Sequence, residues 1–293
     1  MKKANKVLGM ALATVCAVSC VAGMAACGDN GGQESTLALG KEMIVQNSQL
    51  DALTQLKNGA VDAVVIDSVM AGYYSTSGEF AGKVSIVDNL VLAEEEYGIA
   101  AKKGSQAFMS EINKALIALA TDGTVTSVAE TFGLQNDVAV KADTVNPYEN
   151  ATDDSWNEIK QSGTIVIGYT VFAPIAYEDN GLFTGFDIEL ATEVVEWLND
   201  TYELTLEVEF EEIDWNAKEA LLENGTIDLV WNGMTITDER EAEMCISVPY
   251  LYNKQVAVVL TEEKSEYTSK ESFKDAVIGV ESGSAGESVV KGE

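Results

Sequence analysis

The chain contains no histidine, a single arginine and only three prolines among its 293 residues. Without histidine, Ser-His and Cys-His catalysis and any His-ligated metal site are excluded. Positive charge is also scarce, because 18 Lys and Arg residues stand against 48 Asp and Glu, for a formal net charge of −30. Nucleic acid and anionic lipid surfaces repel a chain of this composition.

The N-terminal residues have the layout of a secretory leader. Lys2, Lys3 and Lys6 precede an apolar run at 7–26 that ends in small residues, which predicts a signal peptide at 1–26. A retained membrane helix is the alternative, since about 20 apolar residues can span a bilayer. The run is rich in Ala, Gly, Ser and Cys rather than Leu, which favours cleavage.

The end of that run, "MAAC", resembles the bacterial lipobox, with Cys27 as the lipidated residue and 27–37 as a flexible, lipid-anchored tether. Cleavage removes Cys16 and Cys20, so lipidation of Cys27 leaves Cys245 without a disulfide partner. We interpret Cys245, in "EMCISVPY", as a small buried hydrophobe rather than a reactive thiol.

The single arginine, Arg240, ends the stretch "GMTITDER". Thr237 as N-cap with Asp238 and Glu239 in the first turn predicts a helix start there. Helix-start amides and a planar guanidinium together favour an anion site that grips a carboxylate bidentately. The alternative is a structural salt bridge, for which the many acidic residues offer partners.

Two stretches share one local plan. "LTQLKNGAVDAVVID" (53–67) and "KEALLENGTIDLVWNG" (218–233) each predict a helix that ends at Asn-Gly and is followed by an apolar strand. "TIVIGYT" (164–170) and "AVIGVESGSAG" (276–286) likewise predict strands that end in a loop. These pairs indicate two α/β lobes of the same architecture.

The order of these stretches differs between the lobes. "TIVIG" precedes its "NGTID" unit, whereas "AVIG" lies near the C-terminus and its "NGAVD" unit near the N-terminus. We therefore predict a circular permutation that places the chain ends within one lobe. Joining the ends reads as continuous helix, strand, helix and strand, so we expect no element to be missing there.

The rest of the chain also shows the patterns of an α/β protein. Ile112, Leu116 and Leu119 fall on one face of a predicted helix that stops at Asp122-Gly123. Residues 134–155 lack periodicity and contain Asn-Pro, which predicts a linker.

Ligands of open α/β sheets bind at the carboxyl ends of strands. The predicted strand ends bring a guanidinium, helix-start amides, a carboxylate and aromatic rings to one cleft: Arg240, Ser284, Ala285, Asp67, Tyr169, Phe172 and Trp215. A cation opposite a carboxylate complements a zwitterion, with the ligand carboxylate on Arg240 and its ammonium on Asp67. Trp231 alternates with Asn232 along its strand, so we assign Trp231 to the core.

Four stretches resemble the substrate-binding proteins of bacterial polar amino-acid ABC transporters: "GYTVFAPIAYEDNGLFTGFDIELATEV", "EEIDWNAKEALLENGTIDLVWNGMTITDER", "SVPYLYNKQVAVVL" and "EEEYGIAAKKGSQAFMSEINKALIALATDGT". The resemblance covers essentially the whole chain after the leader, but not in the family's usual order. It implies a two-lobed α/β fold of the type II periplasmic-binding-protein (clamshell) class, circularly permuted, with a two-strand hinge near "YGIAAKK" and "QVAVVL". By the same matching, the large lobe is 97–260, including the linker, and the small lobe is 38–96 plus 261–293.

The resemblance also implies roles for individual residues. Arg240, assisted by Thr235 and the backbone around Ser284 and Ala285, matches the group that binds the ligand α-carboxylate. Asp67 and the Gly233 carbonyl match the groups that take the α-ammonium, and Phe172 and Trp215 flank the side chain. Asn232 completes the predicted set.

Two positions depart from the family. Tyr169 stands where many relatives have an acidic residue, and Glu281 stands where the glutamine-specific relative has a lysine. Glu281 would either favour a cationic or donor-rich ligand or point into solvent.

The sequence thus predicts a lipid-anchored, extracytoplasmic substrate-binding component of an ABC importer, without enzymatic activity. We expect it to be a monomer that captures an amino acid and delivers it to permease subunits, with no cofactor, metal or nucleic acid. One alternative is an enzyme on the same scaffold, since some relatives are dehydratases, with Asp67 or Glu281 as general acid. The other is a ligand-sensing module.

Overall fold

The computed structural model describes residues 37–293. The predicted signal peptide, Cys27 and the tether up to residue 36 lie outside the described residues. The strands of the described part are β1 Glu42–Gln46, β2 Ala63–Asp67, β3 Val84–Lys102, β4 Thr164–Tyr169, β5 Tyr177–Asp179, β6 Leu182–Thr184, β7 Glu207–Glu212, β8 Leu229–Thr235, β9 Met244–Ile246, β10 Leu251–Leu260 and β11 Val277–Glu281.

The helices begin and end where local sequence signals predict. Asn58 caps the end of α1 and Gly225 that of α7, while Gly123 ends α3 with a left-handed φ of +94°. Within residues 37–293, no helix has the length and apolar character needed to cross a membrane. The helices are α1 Gln49–Lys57, α2 Ser68–Thr76, α3 Gln106–Asp122, α4 Thr124–Thr131, α5 Ser155–Ser162, α6 Phe186–Tyr202, α7 Lys218–Asn224, α8 Asp238–Glu243 and α9 Ala285–Lys291.

One mixed sheet organises these elements, which confirms the predicted α/β class. Its strand order is β1-β11-β2-β10-β3-β8-β4-β7, with β9 paired to β3, and β5 and β6 form a separate hairpin. The parallel pairs are β1 with β11, β11 with β2, β4 with β7 and β4 with β8. Strands β10 and β3 run antiparallel to their neighbours.

The two ends of the sheet repeat one pattern. We call β1, β11 and β2 the β2 half, and β7, β4 and β8 the β8 half. In each half a central strand, β11 or β4, lies between two parallel neighbours. The inner neighbour, β2 or β8, pairs on its other side with an antiparallel strand, β10 or β3. Along the chain the strands of the β8 half come in the order β4, β7, β8. Their equivalents in the β2 half are β11, β1 and β2, which come in the order β1, β2, β11. This difference in order is the one that a permuted chain would show, and the permutation itself stays a prediction.

Two long strands connect the halves. Strand β3 pairs with β10 from Val84 to Tyr97 and with β8 from Tyr97 to Ala101. Strand β10 pairs with β2 on its other side. The segments "YGIAAKK" and "QVAVVL" lie on these crossing strands, where the sequence places the hinge, although the lobe boundaries stay predictions.

The core lies between the sheet and its helices. Leu53 and Leu56 of α1 are buried, as are Ile112, Leu116 and Leu119 of α3, so the helical periodicity is confirmed. Trp231 is 1% exposed, which confirms its assignment to the core. Burial of one such side chain contributes about 1.5–3 kcal/mol to stability.

The predicted linker contains no helix or strand between residues 134 and 154, yet it packs against the domain. The Ala139 amide donates to the Tyr250 carbonyl at 3.0 Å, and the Asn146 side-chain amide donates to the Ser110 carbonyl at 3.0 Å. These bonds satisfy backbone groups that a buried loop would otherwise leave unpaired.

Candidate ligand-binding site

The carboxyl ends of β2, β4, β8 and β11 meet around one cavity. All the predicted binding residues except Tyr169 line it, so the fold brings together residues far apart in sequence. The Tyr169 ring instead packs on Phe183, with ring centroids 4.7 Å apart. The lining residues are Gln49, Asp67, Thr170, Phe172, Trp215, Asn232, Gly233, Thr235, Arg240, Glu281, Ser284 and Ala285.

The cavity is nearly closed in this conformation. Its volume is about 20 Å³, which is room for about one water molecule. A groove of about 1270 Å³ adjoins it and shares Thr235, Arg240, Ser284 and Ala285 with it. A ligand of amino-acid size therefore needs the cavity walls to separate, and the groove gives it an approach from the Arg240 side.

Arg240 lies in the first turn of α8. The Thr237 hydroxyl accepts from the Arg240 amide at 3.2 Å, which confirms the predicted N-cap. The guanidinium donates to the Thr235 carbonyl at 2.7 Å and to the Gly283 carbonyl at 3.1 Å. Among residues 37–293 it forms no salt bridge, so the structural ion pair considered above is not observed. Its positive charge is therefore available to an anionic ligand group.

Asp67 ends β2 and is only 4% exposed. Its carboxylate accepts from the Tyr97 hydroxyl at 2.5 Å, from the Asn253 amide at 2.5 Å and from the Gln255 amide at 3.1 Å, and also from Gln49. Burial raises the pKa of Asp67, and the hydrogen bonds from Tyr97 and Gln49 lower it. These donors hold the carboxylate in one orientation.

Glu95, on β3, belongs to the same network and was missed by the sequence analysis. Its carboxylate accepts from the amides of Asn253 at 2.9 Å and Gln255 at 3.1 Å, and from the Thr235 hydroxyl at 3.2 Å. Burial and the neighbouring Asp67 raise the pKa of Glu95 to about 7. The available signal was the polar pair Asn253 and Gln255, two residues apart and therefore on the same face of β10, because such a buried pair needs a polar partner.

Glu281 ends β11 and is 7% exposed. Of the two alternatives given for Glu281, the one that points it into solvent is therefore wrong, and its side chain lines the cavity. Burial and the nearby Asp67 raise the pKa of Glu281 to about 8, against the lowering effects of Gln49, Lys218 and Arg240.

Gly233 interrupts β8 with a φ of +60°. A side chain here would place its Cβ 2.8 Å from Phe172 and 3.0 Å from Tyr97, so only glycine fits. The Gly233 amide donates to the Asp187 carboxylate at 2.8 Å and to the Tyr250 hydroxyl at 3.2 Å. Burial raises the pKa of Asp187 to about 7.

The neighbouring backbone is fixed in a similar way. Asn232 and Thr170 are joined by a side-chain hydrogen bond of 2.7 Å. Ser284 caps α9, since its hydroxyl accepts from the Glu287 amide at 3.1 Å. The Trp215 indole donates to the Gly283 carbonyl at 3.3 Å, which joins the β8 half to the β2 half across the cavity.

Comparison with known proteins shows what part of this chain is similar to. Residues 164–279 match the model of the family described as bacterial extracellular solute-binding proteins, family 3. The predicted resemblance is confirmed. The chain is 28% identical over 126 residues to the L-cystine-binding protein TcyJ of Escherichia coli (strain K12), covering 42% of this chain and 45% of the relative. It is 31% identical over 165 residues to the L-cystine-binding protein TcyA of Bacillus subtilis (strain 168), covering 55% of each.

The chain thus spans about half the length of the curated relatives it matches. A solved ABC uptake transporter substrate-binding protein from Streptococcus pneumoniae with bound histidine is 40% identical over 31% of this chain and 35% of its own, with a TM-score of 0.26.

The family match covers one side of the site. Phe172, Trp215, Gly233, Thr235 and Arg240 lie within it. Asp67, Glu281, Ser284 and Ala285 lie outside it. They line the cavity from parts of the chain that the family match does not cover.

Proposed function

We propose that this protein binds an α-amino acid as a zwitterion between the β2 half and the β8 half. Arg240 would bind the ligand carboxylate, and Asp67 would bind its ammonium. The observation that carries the proposal is a guanidinium that has no ion-pair partner among residues 37–293 and a buried carboxylate, both on the walls of one cavity. Groups of opposite charge held apart in this way match the two ends of an amino acid.

The geometry supports a specific binding mode. Arg240 uses its guanidinium for two carbonyl bonds, to Thr235 and Gly283, and keeps further N–H donors for a carboxylate. The start of α9 supplies additional donors beside it, and the Thr235 hydroxyl would have to exchange its bond to Glu95 for one to the ligand. Asp67 and the Gly233 carbonyl would share the ammonium, while Phe172 and Trp215 would enclose the side chain.

A ligand would enter an opened cleft and then hold it closed. Trp215 and Arg240 both bond to the Gly283 carbonyl, so they join the two halves without a ligand and must release it for the cleft to open. Bending would be concentrated in β3 and β10, which connect the halves, as in hinge closure around a ligand.

The family match also supports a cellular role. We propose the extracytoplasmic binding component of an ABC importer, anchored by a lipid on Cys27, acting as a monomer and delivering its amino acid to permease subunits. The match of residues 164–279 to extracellular solute-binding proteins supports this role, as do relatives named for binding cystine.

A thermal-shift screen of the purified chain against the common amino acids tests the proposal. A ligand at about 100 times its dissociation constant should raise the free energy of unfolding by about 2.7 kcal/mol. Arg240→Ala should raise the Kd by two orders of magnitude or more, because removing one partner of a buried ion pair costs about 3–5 kcal/mol. Arg240→Lys should weaken binding less, since it keeps the charge and loses the bidentate grip.

Lys270→Ala, which removes an exposed cation elsewhere on the chain, is the control and should bind as the parent does. The proposal fails if no amino acid shifts the unfolding temperature. It also fails if folded Arg240→Ala binds the ligand with an unchanged Kd.

A further inference from the structure

The charges around the cavity do not balance for a neutral amino acid. Arg240 is the cation of the lining, and Asp67 and Glu281 are its carboxylates. A zwitterionic ligand would satisfy Arg240 with its carboxylate and Asp67 with its ammonium. Glu281 would then remain without a partner of opposite charge.

The nearest ammonium does not neutralise Glu281. Lys218 forms a salt bridge with Glu219 at 2.9 Å, and its Nζ lies 4.6 Å from the centre of the Trp215 ring. Lys218 also donates to the Trp215 carbonyl at 3.3 Å. Within residues 37–293 no salt bridge includes Glu281, so a buried carboxyl faces the cavity without a paired cation.

Such a group is expected to hold a proton while the site is empty. The charged groups that act on Glu281 are Asp67 of β2, Lys218 of α7 and Arg240 of α8. Burial together with Asp67 outweighs both cations and raises the pKa of Glu281 to about 8. At neutral pH Glu281 is therefore mostly a neutral carboxylic acid. A cation brought next to it would favour the ionised form.

Resting on the proposed function, we propose that the site selects an amino acid with a positively charged side chain, which Glu281 receives while releasing its own proton to solvent. The O–H bond of the Glu281 carboxyl breaks, the proton passes to the buffer, and the carboxylate pairs with the ligand cation. The ligand keeps its side-chain charge. A neutral side chain of the same shape leaves the Glu281 proton in place, so any proton that the ligand ammonium displaces from Asp67 and Glu95 is common to both ligands.

The walls of the cavity fit the same ligand class. Phe172 and Trp215 are buried aromatic residues on the side of the β8 half. Aromatic ring faces attract cations where water is excluded. The Trp215 ring already has the Lys218 ammonium 4.6 Å and the Arg240 guanidinium 5.8 Å from its centre, so Phe172 is the ring left for a ligand cation. An acidic side chain would gain no opposite charge from Glu281, which is either neutral or negative, so its burial there would be unfavourable.

Isothermal titration of the full chain tests the inference with two matched ligand pairs. L-arginine is compared with L-citrulline, and L-lysine with L-norleucine, because each neutral partner keeps nearly the shape of the cationic one. Titrations at neutral pH in two buffers of different ionisation enthalpy give the number of protons released. We expect one cationic ligand to bind at least about tenfold tighter than its neutral partner, and to release close to one proton more than that partner does.

Glu281→Gln should weaken binding of that cationic ligand about 100-fold, or about 2.7 kcal/mol, because the ligand cation would lose its partner of opposite charge. The same variant should abolish the extra proton release of the cationic ligand and leave the neutral ligand within about threefold of its parent Kd. The control Glu262→Gln removes an exposed carboxylate and should change neither quantity.

Three outcomes overturn the inference: both pairs favouring the neutral ligand, equal proton release by the cationic ligand and its neutral partner, or an unchanged cationic preference in Glu281→Gln. If neutral amino acids bind in an Arg240-dependent way and cationic ones do not, only this inference fails. If no amino acid binds, the proposed function fails with it.

Discussion

Replacing Glu281 by glutamine should alter how stability depends on pH, even without any ligand. The folded protein holds Glu281 with a pKa of about 8, against an ordinary value of 4.5. Between these two pKa values the folded state binds more protons than the unfolded state, so the free energy of unfolding falls as pH rises. This stabilisation is complete below about pH 4.5 and is lost as pH rises through about 8.

The size of the effect follows from these two pKa values. One unit of pKa corresponds to about 1.4 kcal/mol, so between about pH 5.5 and 8.5 the Glu281 carboxyl should remove about 3 kcal/mol from the free energy of unfolding. Glu95 and Asp187, both with pKa values raised to about 7, act in the same direction. The wild-type chain should therefore lose stability across this range, and Glu281→Gln should lose about 3 kcal/mol less.

Urea unfolding of both proteins at these two pH values, without ligand and at constant ionic strength, measures the difference. Glu281→Gln replaces a carboxyl of nearly the same shape that is already neutral at the lower pH, so the two proteins should have similar midpoints there. Glu262→Gln, at an exposed site, should follow the wild type throughout. Parallel loss of stability in wild type and Glu281→Gln would show that Glu281 ionises normally and would refute the reasoning.

Two further predictions concern single residues. Gly233→Ala should lower the free energy of unfolding by at least about 2 kcal/mol, since the position has positive φ and its Cβ would lie 2.8 Å from Phe172. Gly59→Ala, with a φ of +72° and no atom within 4 Å of its Cβ, is the control for conformation alone and should cost less; equal losses would contradict the steric argument. Cys245 is buried, and burial raises its thiol pKa to about 11, so alkylation mapped by peptide mass should modify it only after unfolding. Rapid labelling of Cys245 in the native chain would contradict that assignment.

Local chemistry explains why much of the fold was predictable. Asn58-Gly59 and Asn224-Gly225 end helices because glycine adopts positive φ at low cost, and such signals act within a few residues. Arg240 was predictable for the same reason, since Thr237 sets the helix start that carries it. Asp67 and Glu281 could be placed at strand ends because apolar strands precede both.

The network behind the site was not predictable in this way. Glu95 meets Asn253, Gln255 and Thr235 only after β3, β10 and β8 have paired, and those residues are up to 160 positions apart. Tyr169 shows the opposite case: it stands at the right strand end, but its ring packs on Phe183 instead of facing the cavity. Side-chain direction at the last residue of a strand depends on neighbours that the sequence pattern alone does not identify.

The rotated order of strands in the β2 half has a mechanical consequence for the site. Strand β11 carries Glu281 and lies between β1 and β2, to which it is held by parallel backbone pairing. The Ala38 amide donates to the Val290 carbonyl at 2.9 Å, and the Lys41 amide donates to the Ala276 carbonyl at 2.9 Å. Hydrogen bonds rather than a short covalent connection therefore fix Glu281 relative to Asp67. Backbone pairing sets the register of the strand ends. The positions of the charged residues around the cavity therefore depend on which strands are neighbours in the sheet and not on the order of those strands along the chain.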